Sequence, residues 1–245
     1  MQRLIADCKV RLEKYELAHE EYQYLLKKYK ENGNLRMQAA LMHSIAELHR
    51  ENDHYKQSES YLLNAKNLYE QAGMAFSAAI QLELTGYLMR DHSPPQSVYY
   101  YEKAVKSFAD LNRTVREGKT RLKLGRLKQF MSEPDKALAH YEKALQLFKS
   151  VNAVALESKA LLHSADVYRE KGTAGSEADY LNRAYKRISK HGTIPEKIEL
   201  LELLSAAYAA QGNYSEAYKI EGEQIKLKDT LNRRQLLKQT GVLEN

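Results

Sequence analysis

The sequence predicts an all-α fold, a solenoid of about six helix-turn-helix units ending in a C-terminal helix, and three observations carry that prediction. The first is composition. Of 245 residues, 43% are apolar and 29% charged, and Ala, Leu, Lys and Glu dominate, which favours helices over strands. The second is a fixed period. A turn-opening residue recurs at Tyr15, Tyr55, Pro94, Pro134, Ala174 and Tyr214, at spacings of 40, 39, 40, 40 and 40. A closing turn residue keeps the same register at Gly33, Gly73, Asn112, Asn152 and Gly192. The third is punctuation: all 4 prolines fall at breaks or in the first turn of a following helix, as a consistent helical design requires.

Taken in order, the units span about 1–33, 34–73, 74–112, 113–152, 153–192 and 193–228. Unit one supplies Tyr22 in its second helix. Unit two breaks at Glu51, Asn52 and Asp53, and its second helix carries Ser58, Tyr61, Leu62, Ala65 and Tyr69 at helical steps. Unit three breaks at His92, Ser93, Pro94 and Pro95, then repeats the pattern with Tyr101 and Ala104. In unit four, Leu124 and Gly125 precede a break at Ser132, Glu133 and Pro134, and Ala137, Tyr141, Ala144, Leu145 and Phe148 follow. Unit five has Leu161, Ala165 and Tyr168 before Gly172 to Gly175. Unit six has Leu201, Leu204, Ser205 and Tyr208 before Gln211, Gly212 and Asn213. The terminal helix covers about 214–240, with Ile225, Leu227, Leu231 and Leu236 as a capping face.

This pattern resembles the tetratricopeptide repeat family, in a variant whose period is near 40, over about residues 2–228. In that family the first helix carries a large residue, a Leu with a small partner, and an aromatic, while the second carries Ala, an aromatic and Ala. The resemblance implies one right-handed solenoid, residues 1–245, with first helices lining a concave wall that binds a partner. It places on that wall Arg3, Asp7 and Arg11 of unit one, and His43, Glu47 and Arg50 of unit two. Unit three contributes Leu82, Met89 and Arg90, and unit four Lys119, Leu122, Arg126 and Gln129. Unit five adds Lys159, Asp166 and Arg169, and unit six Glu202.

A groove of mixed charge with apolar patches suits a peptide or protein segment carrying acidic residues. The net charge of +6 concentrates in residues 113–128, where Arg113, Arg116, Lys119, Arg121, Lys123, Arg126 and Lys128 face one acid, Glu117. Arg116, Lys119, Lys123 and Arg126 share one helix face, which suits a carboxylate or phosphate, with Arg126 and Lys119 at its centre. The alternative for such a run is a solvated face. Nucleic acid is not expected, because no base-reading motif or aromatic platform accompanies the basic charge.

Catalytic and cofactor chemistry are not expected either. His43 and His49 are six residues apart and face different sides, so no metal pair follows. The single cysteine, Cys8, reads as a small buried hydrophobe, and no phosphate loop, nucleophile elbow or HExxH run is present. No apolar run reaches the roughly 20 residues that span a bilayer. Residues 1–10 carry Arg3, Asp7 and Lys9 where a signal peptide would be apolar, so a cytoplasmic protein without membrane partners is expected.

Residues 226–238 hold five basic side chains and one acid, Asp229. Their core of Leu227, Lys228, Asp229, Thr230, Leu231 and Asn232 resembles the end of repeat regions in bacterial signalling proteins that precede a kinase or DNA-binding output. Three readings follow: a non-enzymatic interaction scaffold, a sensory module controlling a kinase or transcriptional output, and an oligomerising structural protein, a homo-oligomer through its terminal helix or its exposed convex face.

Overall fold

A computed structural model describes residues 15–190 and 192–239. Arg3, Asp7, Arg11 and Cys8 lie outside the described residues. Among those described there are eleven helices and no strand: α1 (Tyr15–Glu31), α2 (Leu35–Glu51), α3 (Tyr55–Gln71), α4 (Ala75–Met89), α5 (Pro94–Asp110), α6 (Thr114–Phe130), α7 (Pro134–Ser150), α8 (Val154–Glu170), α9 (Ala174–Ile188), α10 (Ile194–Ala210) and α11 (Tyr214–Gln239). The helix starts at Tyr15, Tyr55, Pro94, Pro134, Ala174 and Tyr214 are the six turn-opening positions of the sequence repeat. Helix contacts divide the chain into two compact units, Met1–Leu127 and Lys128–Asn245. Each is an all-α stack of helix-turn-helix repeats, the solenoid class that the period implies.

The turns show why the period is so regular. Eight of them share one closing pattern, in which a residue in the left-handed region follows the helix end: Gly33, Asp53, Gly73, Asn112, Ser132, Asn152, Gly172 and Gly212. In each, that residue donates its N–H three residues back and its successor donates five residues back. At the first turn Gly33 N–H meets Lys30 O at 3.1 Å and Asn34 N–H meets Tyr29 O at 3.0 Å. The last carbonyls of the helix are thereby satisfied without solvent, and the next helix leaves at a set angle.

Two turns depart from this pattern, one in each unit. α4 stops at Met89 and α9 at Ile188, both after 15 residues where most of the others run to 17. Gly192, expected as a closing turn residue like Gly33 and Gly73, is not in the left-handed region. Its N–H instead meets Ile188 O at 2.6 Å, so it ends a longer connection rather than a two-bond cap. What opens α10 is a capping box: Thr193 and Glu196 satisfy each other's backbone N–H groups, and Pro195 occupies the first turn.

Packing follows the small-large alternation of the repeat. In the first unit, Ala18, Tyr22, Leu25 and Leu26 of α1 cluster with Leu41, Ile45 and Leu48 of α2. Ser58 Oγ donates to Ala46 O at 2.8 Å, and one period on Ser97 Oγ donates to Gly86 O, so small residues let paired helices approach closely enough for side chain to reach backbone. Tyr22, Tyr101, Tyr141, Phe108 and Phe148 are fully or almost fully buried, and each contributes about 1.5–3 kcal/mol of apolar burial.

Buried charge is placed just as regularly. Glu117 and Glu157 occupy the same repeat position, 40 residues apart, and both are buried. Glu117 pairs with Arg121 at 2.8 Å, and Glu157 with Arg187 at 2.7 Å, so neither carboxylate is left uncompensated.

Candidate groove between the first helices of units five and six

In the second unit the first helices α8 and α10 leave a cleft of about 740 Å³ between them. Its floor is apolar: Val154 and Leu162 come from α8, Leu200 and Leu203 from α10, and Ile188 from the end of α9. Its rim is charged, with Lys159, Asp166 and Arg169 on one wall and Glu196 and Glu199 on the other. Helical geometry explains the arrangement, since Lys159, Leu162, Asp166 and Arg169 advance by 3, 4 and 3 residues along one face of α8. An apolar floor between charged walls is the arrangement that anchors a side chain while orienting a backbone.

The rim charges are mostly held by their neighbours. Arg169 Nη2 donates to Asp166 Oδ1, and its Nη1 lies 3.9 Å from Glu177. Glu177 is buried beneath, and burial pushes its carboxyl up, with Arg169 opposing that shift and Asp166 adding to it. His163 stacks on Tyr141, with ring centroids 5.4 Å apart, and its Nδ1 is 4.0 Å from Asp166. Glu196 is engaged in the cap of α10, which holds its carboxyl below the usual range. Lys159 and Glu199 are exposed, and they face the cleft without an ion pair among the described residues.

Three of the residues expected on the concave wall, Lys159, Asp166 and Arg169, thus lie together. Glu202 does not join them; it accepts a 3.3 Å hydrogen bond from Gln224 of α11. Gln129 donates to Glu170 at 2.6 Å and accepts from Tyr141 at 3.0 Å. In the first unit, His43 meets Gln81 at 3.1 Å, and Glu47 pairs with Arg50 at 2.9 Å. Arg90 pairs with Asp91 at 2.7 Å and lies over the Tyr87 ring, and Leu82 is half-buried. Met89 and Leu122 are buried in the packing, with their side chains turned away from solvent.

The basic run of α6 is also partly spoken for. Glu83, almost fully buried on α4, accepts from Arg116 at 3.1 Å, Lys123 at 2.7 Å and Thr120 at 3.2 Å. Two of the four cations on that face therefore neutralise an internal carboxylate, while Lys119 and Arg126 stay exposed without an ion pair among the described residues.

Sequence reasoning missed Glu199, Leu203 and Ile188. The repeat itself held a signal for the first: Glu199 stands 40 residues after Lys159, which stands 40 after Lys119. Among the described residues, no group of three His, Cys, Asp or Glu side chains is placed to hold a metal ion, and no helix is long and apolar enough to cross a membrane.

Comparison with known proteins places this geometry in context. The family model for soluble NSF attachment protein matches residues 77–192, just under half of the chain. No curated protein sequence matches it. Among solved structures, the chain is similar to BtubC (BKLC) from P. vanneervenii, at 15% identity and a TM-score of 0.68, covering 94% of this chain and 91% of that one. It is similar to a signal-transduction ATPase with a tetratricopeptide repeat sensor from Pyrococcus horikoshii, at 18% identity and a TM-score of 0.66 over 94% of this chain, though it spans only 36% of that longer protein. The apo quorum sensor NprR from B. thuringiensis is similar at 14% identity and a TM-score of 0.58, over 92% of this chain and 63% of that one. Repeat period, turn geometry and these likenesses agree: the chain has the tetratricopeptide-repeat fold.

Proposed function

We propose that this protein is a non-enzymatic interaction module that holds a segment of a partner protein or peptide in the groove between α8 and α10. The observation that carries this reading is the pairing of an apolar floor with exposed Lys159 and Glu199 on opposite walls. The rim holds two bases and three acids, so recognition of a uniformly acidic ligand is a weaker fit than an apolar anchor flanked by one acid, for Lys159, and one base, for Glu199. A micromolar complex needs about −8 kcal/mol, which a few buried apolar contacts and charge-assisted hydrogen bonds together supply.

Selection of peptides from a random library against the full chain tests this. Selected peptides are expected to lose at least about tenfold in affinity against Leu203→Lys, and to be unaffected by Lys119→Glu in the first unit. Selected peptides that bind the Leu203→Lys chain undiminished would remove the groove from consideration.

A regulatory role for the same groove is the second reading. It is favoured by the sensor function stated for two structurally similar proteins, and it predicts that a bound peptide changes the spacing of α8 and α10. Spin labels on the two helices that report one distance with and without peptide would contradict it.

A further inference from the structure

Two first helices of the first unit, α4 and α6, set an apolar row beside a cationic one. Positions six, ten and thirteen of α4 are Ile80, Leu84 and Tyr87, and the same positions of α6 are Lys119, Lys123 and Arg126. In α8 those positions are Lys159, His163 and Asp166, all of which line the cleft described above. The two rows therefore occupy the side of the repeat that forms the cleft in the second unit. Ile80 and Leu84 are half-buried, and Tyr87 is 47% exposed.

Charge on this face is unbalanced. Glu83 is the one charged side chain of α4, it is buried, and it already accepts from Arg116, Thr120 and Lys123, which ties the two helices together. Four cations of α6 thus meet one internal carboxylate, and Lys119 and Arg126 have no ion pair among the described residues. These two stand seven residues apart, so two turns, about 10 Å of helix, separate them.

We propose that this face docks an acidic amphipathic helix of a partner protein, its apolar side on Ile80, Leu84 and Tyr87 and its carboxylates on Lys119 and Arg126. The site lies in the first unit and is independent of the groove between α8 and α10. Parallel rows that advance by 4 and 3 residues match the apolar and acidic stripes of a second helix, and the excess of cations sets the sign of its charge. A nucleic acid would satisfy the cations but leave the apolar row against phosphate. Arg90 also lies over the Tyr87 ring, 5.1 Å from its centroid, so the ring is not an open platform for a base.

The test uses a fluorescein-labelled helical peptide of three heptads, each with two leucines on one side and two flanking glutamates, so that acids recur every seven residues. Its anisotropy is expected to rise on titration with the full chain. Affinity should fall at least about tenfold against Lys119→Glu with Arg126→Glu, and also when the peptide glutamates become glutamine. Tyr87→Ser should lower affinity without changing its salt dependence. All three substitutions are at exposed positions, and circular dichroism checks that the helices persist. Leu203→Lys, in the groove of the second unit, should leave binding unchanged, which separates a failure here from a failure of the function proposed for that groove. Absent binding, binding that the charge-reversed chain retains, or binding that Leu203→Lys abolishes overturns the proposal. A labelled single-stranded DNA that binds through the same two cations, where the acidic peptide does not, would overturn it in favour of nucleic acid.

Discussion

Gly86 lies so close to the ring of Tyr101 that a Cβ at Gly86 would stand 2.9 Å from the ring Cδ1. The contact joins α4 to α5, and a fully packed ring has no room to withdraw. Gly86→Ala is therefore expected to cost about 1–3 kcal/mol despite the helix propensity of alanine. Gly222→Ala in α11, where nothing lies within 4 Å, should instead gain about 0.5–1 kcal/mol. Urea unfolding of the two variants checks the contrast, and equal effects would contradict the packing argument.

Glu83 is the internal counter-charge for a basic helix. Arg116 and Lys123 are 45% and 42% exposed, which screens their share of the interaction, so Glu83→Gln is expected to cost about 1–3 kcal/mol, toward the low side for a buried pair. Arg116→Met or Lys123→Met alone should cost less, because the other cation and Thr120 remain. Chemical denaturation of the three variants gives the order directly.

The left-handed turn residues make a graded series. Asn152→Gly and Ser132→Gly relieve a backbone conformation that a side chain disfavours, and each should stabilise by about 0.5–1 kcal/mol. Gly172→Ala imposes the same conformation on a side chain and should cost about 1 kcal/mol. Thermal melts that rank the variants otherwise would show that the two closing hydrogen bonds, and not the conformation, limit these turns.

His49 gives the fold a pH dependence. Its ring stacks on Tyr61 and lies 5.7 Å and 5.8 Å from His19 and His54, and burial, then the charges of those two rings, lowers its affinity for a proton. As pH falls, the unfolded chain takes up that proton first. The contribution is thus full above about 6.5, the value of a free imidazole, and is lost as pH falls through the lower folded-state value. Melting temperature should drop between about pH 7 and pH 5, and His49→Gln should flatten that slope. A parallel slope in the variant would shift the effect to other groups.

Much of the architecture was legible because it is local. Helix starts at Pro94 and Pro134 and the turns at Gly33, Gly73, Asn112 and Asn152 depend on residues within one helical turn, and the sequence shows them directly. Of the candidate groove, the shared placement of Lys159, Asp166 and Arg169 was legible because one helix face decides it. Glu83 lies 33 and 40 residues from Arg116 and Lys123, so the cations of α6 read as free charge until the helices are packed. Leu122 and Met89 read as groove residues from the family resemblance, but the neighbouring helix decides which side is covered, and that information is not local. Gly192 keeps the register of the turn markers, two residues before α10 as Gly33 is two before α2, but the capping box at Thr193, not a left-handed residue, shapes that entry.

The two irregular turns also explain how the array tolerates a change in length. The single spacing of 39 lies between Tyr55 and Pro94 and includes the connection after α4, where the helix is shorter by two residues than α2 and the turn longer by one. After α9 the helix is again shorter by two, but its connection is longer by two, and the spacing of 40 survives. Insertions and deletions in such a protein have safe addresses: residues 90–93 and 189–193 absorb a miscount that, at any of the eight regular turns, would break the paired closing hydrogen bonds or turn the next helix by about a hundred degrees in its seat.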